Sequence, residues 1–194
     1  MIVVFASTNP HKREEAAAIL APYGIKFVPL ENTKPVKVVE DGRSFRENAE
    51  KKARAWAEAH GLPALADDSG LCVEALGGAP GVFSARFAGA HATDADNNAK
   101  LLRLMEGVTN RRARFVCAVC LAWPDGRVLH AEGHVEGEIL PAPRGTQGFG
   151  YDPLFFCPEL GCTFAEASPE MKNRVSHRRR ALVALAAKLA ERAR

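Results

Sequence analysis

The sequence predicts an α/β fold: a mixed central β-sheet flanked by helices, in two lobes with a substrate cleft between them. Strand and helix signals alternate through the first half of the chain, as crossover connections require. A hairpin signal follows in the second half, and a helical pattern closes the chain. The 194 residues contain no internal repeat and no low-complexity linker, so we expect a single domain over 1–194.

The elements of the first half are placed by their caps and their periodicity. Asn9 is a suitable N-cap, and Pro10 suits the first turn of a helix. The stretch from Ser44 to Glu47 fits a capping box, and Gly61 ends the helix that it opens. Trp56 lies on the apolar face of that helix, which favours a place in the core. The predicted elements are a strand over 2–6, a helix over 10–20, a strand over 25–28 and a helix over 44–60.

The second half predicts two further helices around a hairpin. Thr93 to Asp96 opens a helix whose apolar side carries Leu101 and Met105. Strands over 113–123 and 128–139 are joined by a Pro-Asp-Gly turn, and the last helix begins near Ser176.

Two adjacent carboxylates, Asp67 and Asp68, mark the most informative segment. The apolar run over 63–66 predicts a short buried strand, and Gly70 predicts the bend that ends it. Ligands of open α/β sheets lie at the carboxyl ends of strands, where one aspartate would face a cleft and its neighbour would be held by backbone donors. A carboxylate in a cleft suits a hard cation or a water to be deprotonated. An Asx-type turn, in which both side chains bind local amides, fits the same residues.

The charge and the distribution of apolar residues disfavour two classes of partner, nucleic acids and membranes. A net charge of +3 gives little support to a nucleic-acid binder. The chain has no apolar run of the length, about 18 residues, that a membrane helix needs. Its first five residues read as a strand rather than a signal peptide, so we expect a cytoplasmic protein with neither a membrane nor a nucleic acid as partner.

Cysteine usage predicts reduced, structural thiols. The five cysteines are an odd number in a chain without a secretion signal. Cys117 and Cys120 form a CxxC pattern, but they lie in a predicted strand, where residues three apart face opposite sides. We therefore interpret both as buried and inert rather than as a redox or metal pair.

The segment that joins the first strand to the first helix suggests a phosphate site. A helix N-terminus attracts anions, Ser7 and Thr8 add short polar side chains, and Lys12 adds a charge in the first turn. A capped helix with a solvated lysine explains the same residues. The Walker pattern is absent.

A glycine-rich segment over 145–153 suggests a site for a flat ligand. Glycines on both sides of Phe149 let the backbone approach a base on which the ring stacks. Asp152 would accept hydrogen bonds from ring N–H groups. The alternative is a glycine loop with Phe149 packed into the core.

The start of the last helix carries donors in an unfavourable place. His177 and Arg178 would put positive charge at a helix N-terminus, against the dipole. Such an arrangement suggests an anionic or carbonyl-bearing ligand. A basic helix start on the surface is the simpler alternative.

Five segments, in this order and spacing, resemble the inosine triphosphate pyrophosphatase family over nearly the whole chain. The matching stretches are STNPHK from Ser7, ADDSGL from Ala66, GGAPGVFSARFAG from Gly77, GFGYDPLF from Gly148 and SHR from Ser176. In the first stretch many relatives carry glycine where this chain has Thr8 and His11.

The resemblance implies a homodimeric, magnesium-dependent enzyme that converts ITP, dITP and XTP to the monophosphate and pyrophosphate, removing them from the nucleotide pool. It implies that Asp68 is the acid–base residue and a Mg²⁺ ligand, with Glu40, or Asp41 in its place, as a second metal carboxylate. The implied substrate-binding residues are Ser7, Thr8, Asn9, Pro10, His11, Lys12, Ser69, Phe149, Gly150, Tyr151, Asp152, Lys172, His177 and Arg178.

Other functions fit parts of the pattern. A Maf-like pyrophosphatase acting on dTTP, UTP or modified pyrimidine nucleotides shares the architecture, although the SHR and GFGYDP stretches favour the purine family. A nucleotide sensor without turnover would keep the binding segments, and the intact aspartate pair argues against it. A nucleic-acid-binding role has the least support.

Overall fold

The computed structural model of the protein describes residues 1–192. Seven strands and five α-helices form its regular structure. The strands are β1 (Ile2–Phe5), β2 (Lys26–Phe27), β3 (Ala64–Val73), β4 (Arg112–Ala122), β5 (Val128–Ile139), β6 (Phe155–Cys157) and β7 (Cys162–Thr163). The α-helices are α1 (Pro10–Leu20), α2 (Phe45–His60), α3 (Asp94–Leu104), α4 (Pro169–Val175) and α5 (His177–Arg192). Short 3-10 helices cover Ala21–Tyr23, Leu30–Asn32, Glu74–Leu76, Gly81–Arg86 and Asp152–Leu154.

The seven strands form one sheet in the order β2-β1-β3-β4-β5-β6-β7. β1 pairs in parallel with both β2 and β3, whereas β6 pairs antiparallel with β5 and β7. The sheet is therefore mixed, and the predicted fold class is confirmed. A substrate cleft between lobes stays a prediction.

The chain divides into two compact units. One unit comprises Met1–Asp68, Cys117–Gly133 and the chain from Arg178 onward, and the other comprises Ser69–Val116 and His134–His177. The first is called the N-terminal unit here and the second the central unit. The prediction that 1–194 is a single domain stays a prediction. Among the described residues, no helix is long and apolar enough to cross a membrane.

The core of the N-terminal unit lies on both faces of its strands. Alternate residues of β1 point to opposite sides, so that Val3 and Phe5 belong to one cluster and Val4 to another. The first cluster contains Leu20 of α1 and Leu182 of α5. The second contains the buried face of α2, with Trp56 as predicted.

The core of the central unit is built around aromatic rings. Phe115, Phe155 and Phe164 lie with ring centroids 4.5 to 5.8 Å apart. Leu101 of α3 and Met105, the C-cap of that helix, both belong to this cluster, as the periodicity predicts.

Most predicted elements are confirmed, and two local details are wrong. β3 does not end at a bend: it continues through Gly70 to Val73, because Asp67 and Asp68 have partners that allow charged side chains inside a strand. At the start of α2, Ser44 accepts from the Glu47 amide as predicted, but the Glu47 carboxylate accepts from the amide of Arg43 at 2.8 Å. Helix α4 was not predicted, because its seven residues are too few to show periodicity.

The cysteines behave as the strand periodicity predicts. Cys117 and Cys120 are fully buried in different core clusters, hence on opposite faces of β4. Burial raises the pKa of each of these thiols to about 12. No disulfide joins any of the five cysteines, and Cys72 and Cys162 are the half-buried ones.

Thiol alkylation of the native protein is expected to modify Cys72 and Cys162 well before the three buried cysteines. Only the thiolate reacts, and burial removes both the thiolate and access to it at Cys117 and Cys120. Peptide mass spectrometry after iodoacetamide treatment, with and without urea, measures this order. Labelling of Cys117 at the rate of Cys162 in the native protein would contradict it.

Candidate active site

Asp67 is the centre of a buried charge network in the N-terminal unit. Its side chain is 1% exposed and accepts from Lys12 Nζ at 3.3 Å and from Arg178 Nη2 at 3.0 Å. Arg178 also donates to Glu15 of α1. Burial alone would raise the pKa of Asp67, but the charges of Lys12, Arg178 and Lys52 outweigh burial and hold that pKa below its usual range. Asp67 is therefore an ionised anchor, held by side-chain cations rather than by the backbone donors predicted.

Asp68 has a different environment from its neighbour. Its Oδ2 accepts from Asn48 Nδ2 at 3.0 Å, and its side chain is 11% exposed. Burial raises the pKa of Asp68 to about 6, against the opposing charges of Lys52 and Lys12 and the hydrogen bond from Asn48. A carboxylate that titrates near neutral pH is suited to accept and release a proton.

Asn48 connects Asp68 to the loop that carries Glu40. The Asn48 side chain is buried, and its Oδ1 accepts from the amide of Gly42 at 2.8 Å. A Cβ at Gly42 would lie 2.5 Å from that oxygen, so a larger residue would displace the contact. The asparagine therefore fixes the loop over 40–42 relative to β3.

Two carboxylates and one ammonium group meet in this unit. Lys52 Nζ lies 3.0 Å from Glu40 Oε2 and 4.0 Å from Asp68 Oδ1. The Lys52 ammonium group thus lies between two carboxylate oxygens of the kind that bind hard metal ions. Asp41 instead pairs with Lys51 at the exposed surface, so the geometry favours Glu40 over Asp41 as the second carboxylate.

The donor set fits a hard divalent cation that also binds substrate. Mg²⁺ is commonly held by one or two protein carboxylates together with phosphates and water. Among residues 1–192, no group of three or more His, Cys, Asp or Glu side chains could hold a metal by itself. Glu40 and Asp68 could hold such an ion only with ligands from substrate or water.

The start of the loop over 7–12 borders Glu40 and Lys52. A cavity of about 130 Å³ is lined by Ser7 and Thr8 together with Glu40 and Lys52. Thr8, Pro10 and His11 are exposed, while Ser7, Asn9 and Lys12 are half-buried.

Several amides of this loop already have partners. Asn9 caps α1 as predicted by accepting from the Lys12 amide at 3.2 Å, and its own amide donates to Ser7 Oγ. Pro10 has no N–H. Phosphate binding here would therefore depend on the Lys12 side chain, which is 16% exposed, more than on the helix amides that the sequence suggested.

In the central unit, Asp152 and Lys172 form a buried ion pair. Lys172 Nζ lies 2.7 Å from Asp152 Oδ2, and both side chains are at most 5% exposed. The same oxygen accepts from the amide of Phe149 at 3.1 Å. Lys172 Nζ also lies 4.7 Å from the centroid of the half-buried Phe149 ring, a cation–π contact. The pair therefore fixes both the backbone and the ring of Phe149.

Helix α3 holds the next residue of this loop. The amide of Gly150 donates to Asp94 Oδ2 at 2.8 Å, and its carbonyl accepts from Asn98 Nδ2 at 2.9 Å. Tyr151 is buried and donates its hydroxyl to the carbonyl of Ser84 at 2.7 Å. The segment over 149–152 is thus held by hydrogen bonds to α3, to α4 and to the 3-10 helix Gly81–Arg86.

The remaining predicted residues of the central unit lie at its ends. The His177 side chain is buried, with its ring stacked on Phe115 at a centroid distance of 4.8 Å. Ser69 is half-buried in β3 directly after Asp68. Two of the four boundaries between the units fall within predicted motifs, at the Asp68–Ser69 and His177–Arg178 peptide bonds.

Sequence reasoning missed several residues that organise the site. Asn48 and Lys52 are four positions apart on α2, and Asp94 and Asn98 are four apart on α3, so each pair shares a helix face. A polar residue on an otherwise apolar face, such as Asn48 beside Ala49 and Trp56, was the available signal. The sequence gives no such signal for Glu15, because an acidic residue on a short helix is usually solvated.

The fold and the site define the class: a mixed-sheet α/β protein with two carboxylates and a lysine beside a capped helix N-terminus. Within that class the chain belongs to the Ham1 family, whose family model matches residues 3–188.

Individual relatives agree with this assignment. The chain is 53% identical over 185 residues to a protein named dITP/XTP pyrophosphatase from Syntrophobacter fumaroxidans, covering 95% of this chain and 80% of that protein. It is 53% identical to the dITP/XTP pyrophosphatase of Thermus thermophilus over 187 residues, covering 95% and 90%. The structure of a HAM1 protein from Coxiella burnetii superposes with a TM-score of 0.88 at 44% identity, covering 98% of this chain and 99% of that one. The family resemblance predicted from the five segments is confirmed.

Proposed function

We propose that this chain is a nucleoside-triphosphate pyrophosphatase that hydrolyses non-canonical purine nucleotides, ITP, dITP and XTP, to the monophosphate and pyrophosphate. The carrying observation is the placement of Asp68, a carboxyl group with a pKa of about 6, beside Glu40 and Lys52. The names of its Ham1 relatives support the reaction and the substrate class. A Maf-like activity on pyrimidine nucleotides finds no counterpart among these names.

The proposed chemistry begins with a water molecule at Asp68. The carboxylate accepts a proton from this water as the water oxygen bonds to the α-phosphorus. The bond between the α-phosphorus and the bridging oxygen breaks, and pyrophosphate leaves with the bonding electrons. Lys12, fixed by its ion pair with Asp67, stabilises the charge on the leaving group. Glu40 and Asp68 would hold Mg²⁺, and the bound ion would supply neutralisation of negative charge.

Base recognition is assigned to the central unit. Phe149, whose backbone and ring are fixed by Asp152 and Lys172, would stack on the purine. His177 would donate to the 6-oxygen, which the 6-amino group of ATP cannot accept. A buried polar group left unpaired by the wrong substrate can cost about 10⁴-fold in specificity.

Arg178 is also proposed to bind substrate, but the structure favours a further role for it. Its guanidinium binds Asp67 and Glu15 and is 1% exposed. The basic start of α5 suggested an anionic ligand, and the carboxylates of Asp67 and Glu15 are two such anionic groups within the chain itself.

The experiment that tests the function is pyrophosphate release from ITP, dITP, XTP, GTP, ATP and dTTP, each with and without Mg²⁺. Magnesium-dependent turnover of ITP, dITP and XTP, with ATP and dTTP at least about 10²-fold slower, is expected. Turnover of dTTP would indicate a Maf-like enzyme. ITP binding without pyrophosphate release would indicate a sensor.

Glu40→Gln is expected to raise the Mg²⁺ concentration needed for half-maximal activity by about tenfold or more, because one of the two proposed carboxylate ligands is lost. Asp41→Asn is the matched control, since Asp41 lies on the surface with Lys51 and should leave the magnesium dependence unchanged. A Mg²⁺ titration of initial rates measures both variants. The reverse pattern would assign the second carboxylate to Asp41.

Asn98→Ala is expected to raise the KM for ITP about fivefold with little change in kcat. Removing the donor to the Gly150 carbonyl costs about 1 kcal/mol and loosens the loop that positions Phe149. Asn110→Ala removes an exposed contact with Glu74 and serves as control. A loss confined to kcat would show that Asn98 does not act through substrate binding.

The chain is further proposed to act as a homodimer in the cytoplasm, as the family resemblance implies.

A further inference from the structure

Asn48 is a buried polar residue on the apolar face of α2. It is 1% exposed, and the other buried residues of that helix are Ala49, Ala53, Trp56 and Ala57. Burying a side-chain amide costs free energy unless its N–H and C=O groups both find hydrogen-bond partners. The reason for an asparagine on this face therefore lies in the groups that its amide binds.

The two ends of the Asn48 amide bind partners of opposite kind. Nδ2 donates to Asp68 Oδ2 at 3.0 Å, and Oδ1 accepts from the amide of Gly42 at 2.8 Å. A backbone N–H only donates and an ionised carboxylate only accepts, so these partners determine the orientation of the Asn48 amide. An aspartate at this position would have the same shape, but it would keep the acceptor and lose the donor.

Helix α2 places a different group beside each oxygen of Asp68. Asn48 and Lys52 are four positions apart and therefore share a helix face. Asn48 donates to Oδ2, whereas Lys52 Nζ lies 4.0 Å from Oδ1, too far for a hydrogen bond with it. The same Nζ lies 3.0 Å from Glu40 Oε2. Oδ1 is therefore the oxygen of Asp68 on the side of Lys52 and Glu40, where the metal ion is proposed to bind.

The contact between Asn48 and Gly42 supports the second carboxylate. A Cβ at Gly42 would lie 2.5 Å from Asn48 Oδ1 and 2.9 Å from Glu47 Cβ, so the close approach depends on glycine. Gly42 follows Glu40 by two positions, and the bond from its amide ties this segment to α2. One buried amide thus supports both carboxylates, Asp68 directly and Glu40 through the backbone.

We propose that Asn48 is a positioning residue for the hydrolysis: it holds Asp68 by Oδ2, so that Oδ1 is the oxygen that accepts the proton from water. Through Gly42 it also keeps the segment of Glu40 beside that oxygen. The inference rests on the proposed function and assigns its proton transfer to one atom. Loss of a group that orients a carboxylate in this way typically costs about 10- to 100-fold in activity.

Asn48→Ala tests both contacts together. It is expected to lower kcat for ITP by about 10- to 100-fold and to change KM by less than about threefold, because Asp68 loses its orientation while the proposed substrate-binding residues remain. The Gly42 amide loses its acceptor and should exchange with solvent about tenfold faster or more. Initial rates at saturating Mg²⁺ measure the first effect. Hydrogen exchange followed by NMR measures the second without any turnover.

Asn48→Asp separates the two contacts. Aspartate keeps an oxygen for the Gly42 amide, but it has no N–H for Asp68 and repels that carboxylate. We expect kcat to fall by about tenfold or more, while the exchange rate of the Gly42 amide stays within about threefold of wild type.

Asn97→Ala is the matched control. Asn97 is 4% exposed on α3, where its Oδ1 accepts from the Ala88 amide at 2.8 Å and its Nδ2 donates to the Ala85 carbonyl at 3.1 Å. The substitution therefore removes a buried asparagine whose two bonds lead to none of the proposed catalytic groups. The Ala88 amide should exchange faster, while kcat stays within about threefold of wild type.

A second variant perturbs the same contact from the loop side. Gly42→Ala crowds Asn48 Oδ1 and is expected to lower kcat about tenfold, so it tests the positioning role even if Asn48→Ala fails to fold.

The outcomes separate the positioning role from the proposed function. Loss of kcat in the Asn48 and Gly42 variants, with Asn97→Ala near wild type, supports the role. A folded Asn48→Ala or Gly42→Ala whose kcat is within about threefold of wild type would overturn it and leave the function intact. A rise in KM alone would also overturn it and make Asn48 a substrate-binding residue. A wild-type chain that does not hydrolyse ITP would overturn the function and the inference together.

Discussion

Asp68→Asn is expected to lower kcat for ITP by about 10²- to 10⁴-fold, the usual contribution of a general base, while ITP still binds. Asparagine keeps the shape of the side chain and an oxygen that accepts from Asn48 at 3.0 Å, so the loop over 40–42 stays in place. What it lacks is the group whose pKa of about 6 lets it take a proton near neutral pH. Initial-rate kinetics with saturating Mg²⁺, together with calorimetric ITP binding, separate the two effects.

The control for Asp68→Asn is the same substitution at an exposed carboxylate, Asp41→Asn, which should keep wild-type kinetics. If Asp68→Asn retains more than about a tenth of the wild-type rate, a change of under about 1.4 kcal/mol, Asp68 is not the proton acceptor. Loss of both turnover and ITP binding would instead assign Asp68 to substrate or metal binding alone.

The fold followed from the sequence where the pattern was local. Asn9 before Pro10 placed the start of α1, and the alternation over 128–139 placed β5, because caps and strand periodicity depend on neighbouring residues. The end of β3 did not follow from the sequence. Gly70 predicted a bend because of its conformational freedom, but the strand continues through it to Val73. Partners from α1 and α2 remove the cost of burying two adjacent carboxylates in the strand.

The candidate site was predictable as a set of residue types but not as a set of contacts. Asp67 and Asp68 are chemically identical in the sequence, yet three neighbouring cations outweigh burial and lower the pKa of Asp67, whereas burial raises the pKa of Asp68. The difference arises from side chains of α1, α2 and α5. Lys12 of α1 lies 55 positions from Asp67 in the sequence, and Arg178 of α5 lies 111 positions from it. Pairing across such separations is a property of the packed fold, and a single sequence does not contain it.

Arg178→Met is expected to destabilise the protein by about 3 to 5 kcal/mol, because removing one partner of a buried ion pair leaves a charge without compensation. The guanidinium supplies two of the hydrogen bonds of Asp67, whose side chain is 1% exposed, and it also binds Glu15. Urea unfolding at pH 7 measures the free energy, and Arg180→Met, an exposed position on the same helix, should change it by no more than about 0.5 kcal/mol.

A double variant distinguishes the buried charge from simple loss of packing. Asp67→Asn combined with Arg178→Met removes both charges of the pair, and it should be more stable than Arg178→Met alone because a neutral amide costs less to bury than an ionised carboxylate. A double variant no more stable than the single one would mean that the arginine acts through packing of its side chain. If Arg178→Met lowers the free energy of unfolding by less than about 1 kcal/mol, Lys12 and Lys52 are sufficient to hold Asp67 ionised. The proposed role of Arg178 would then be substrate binding alone.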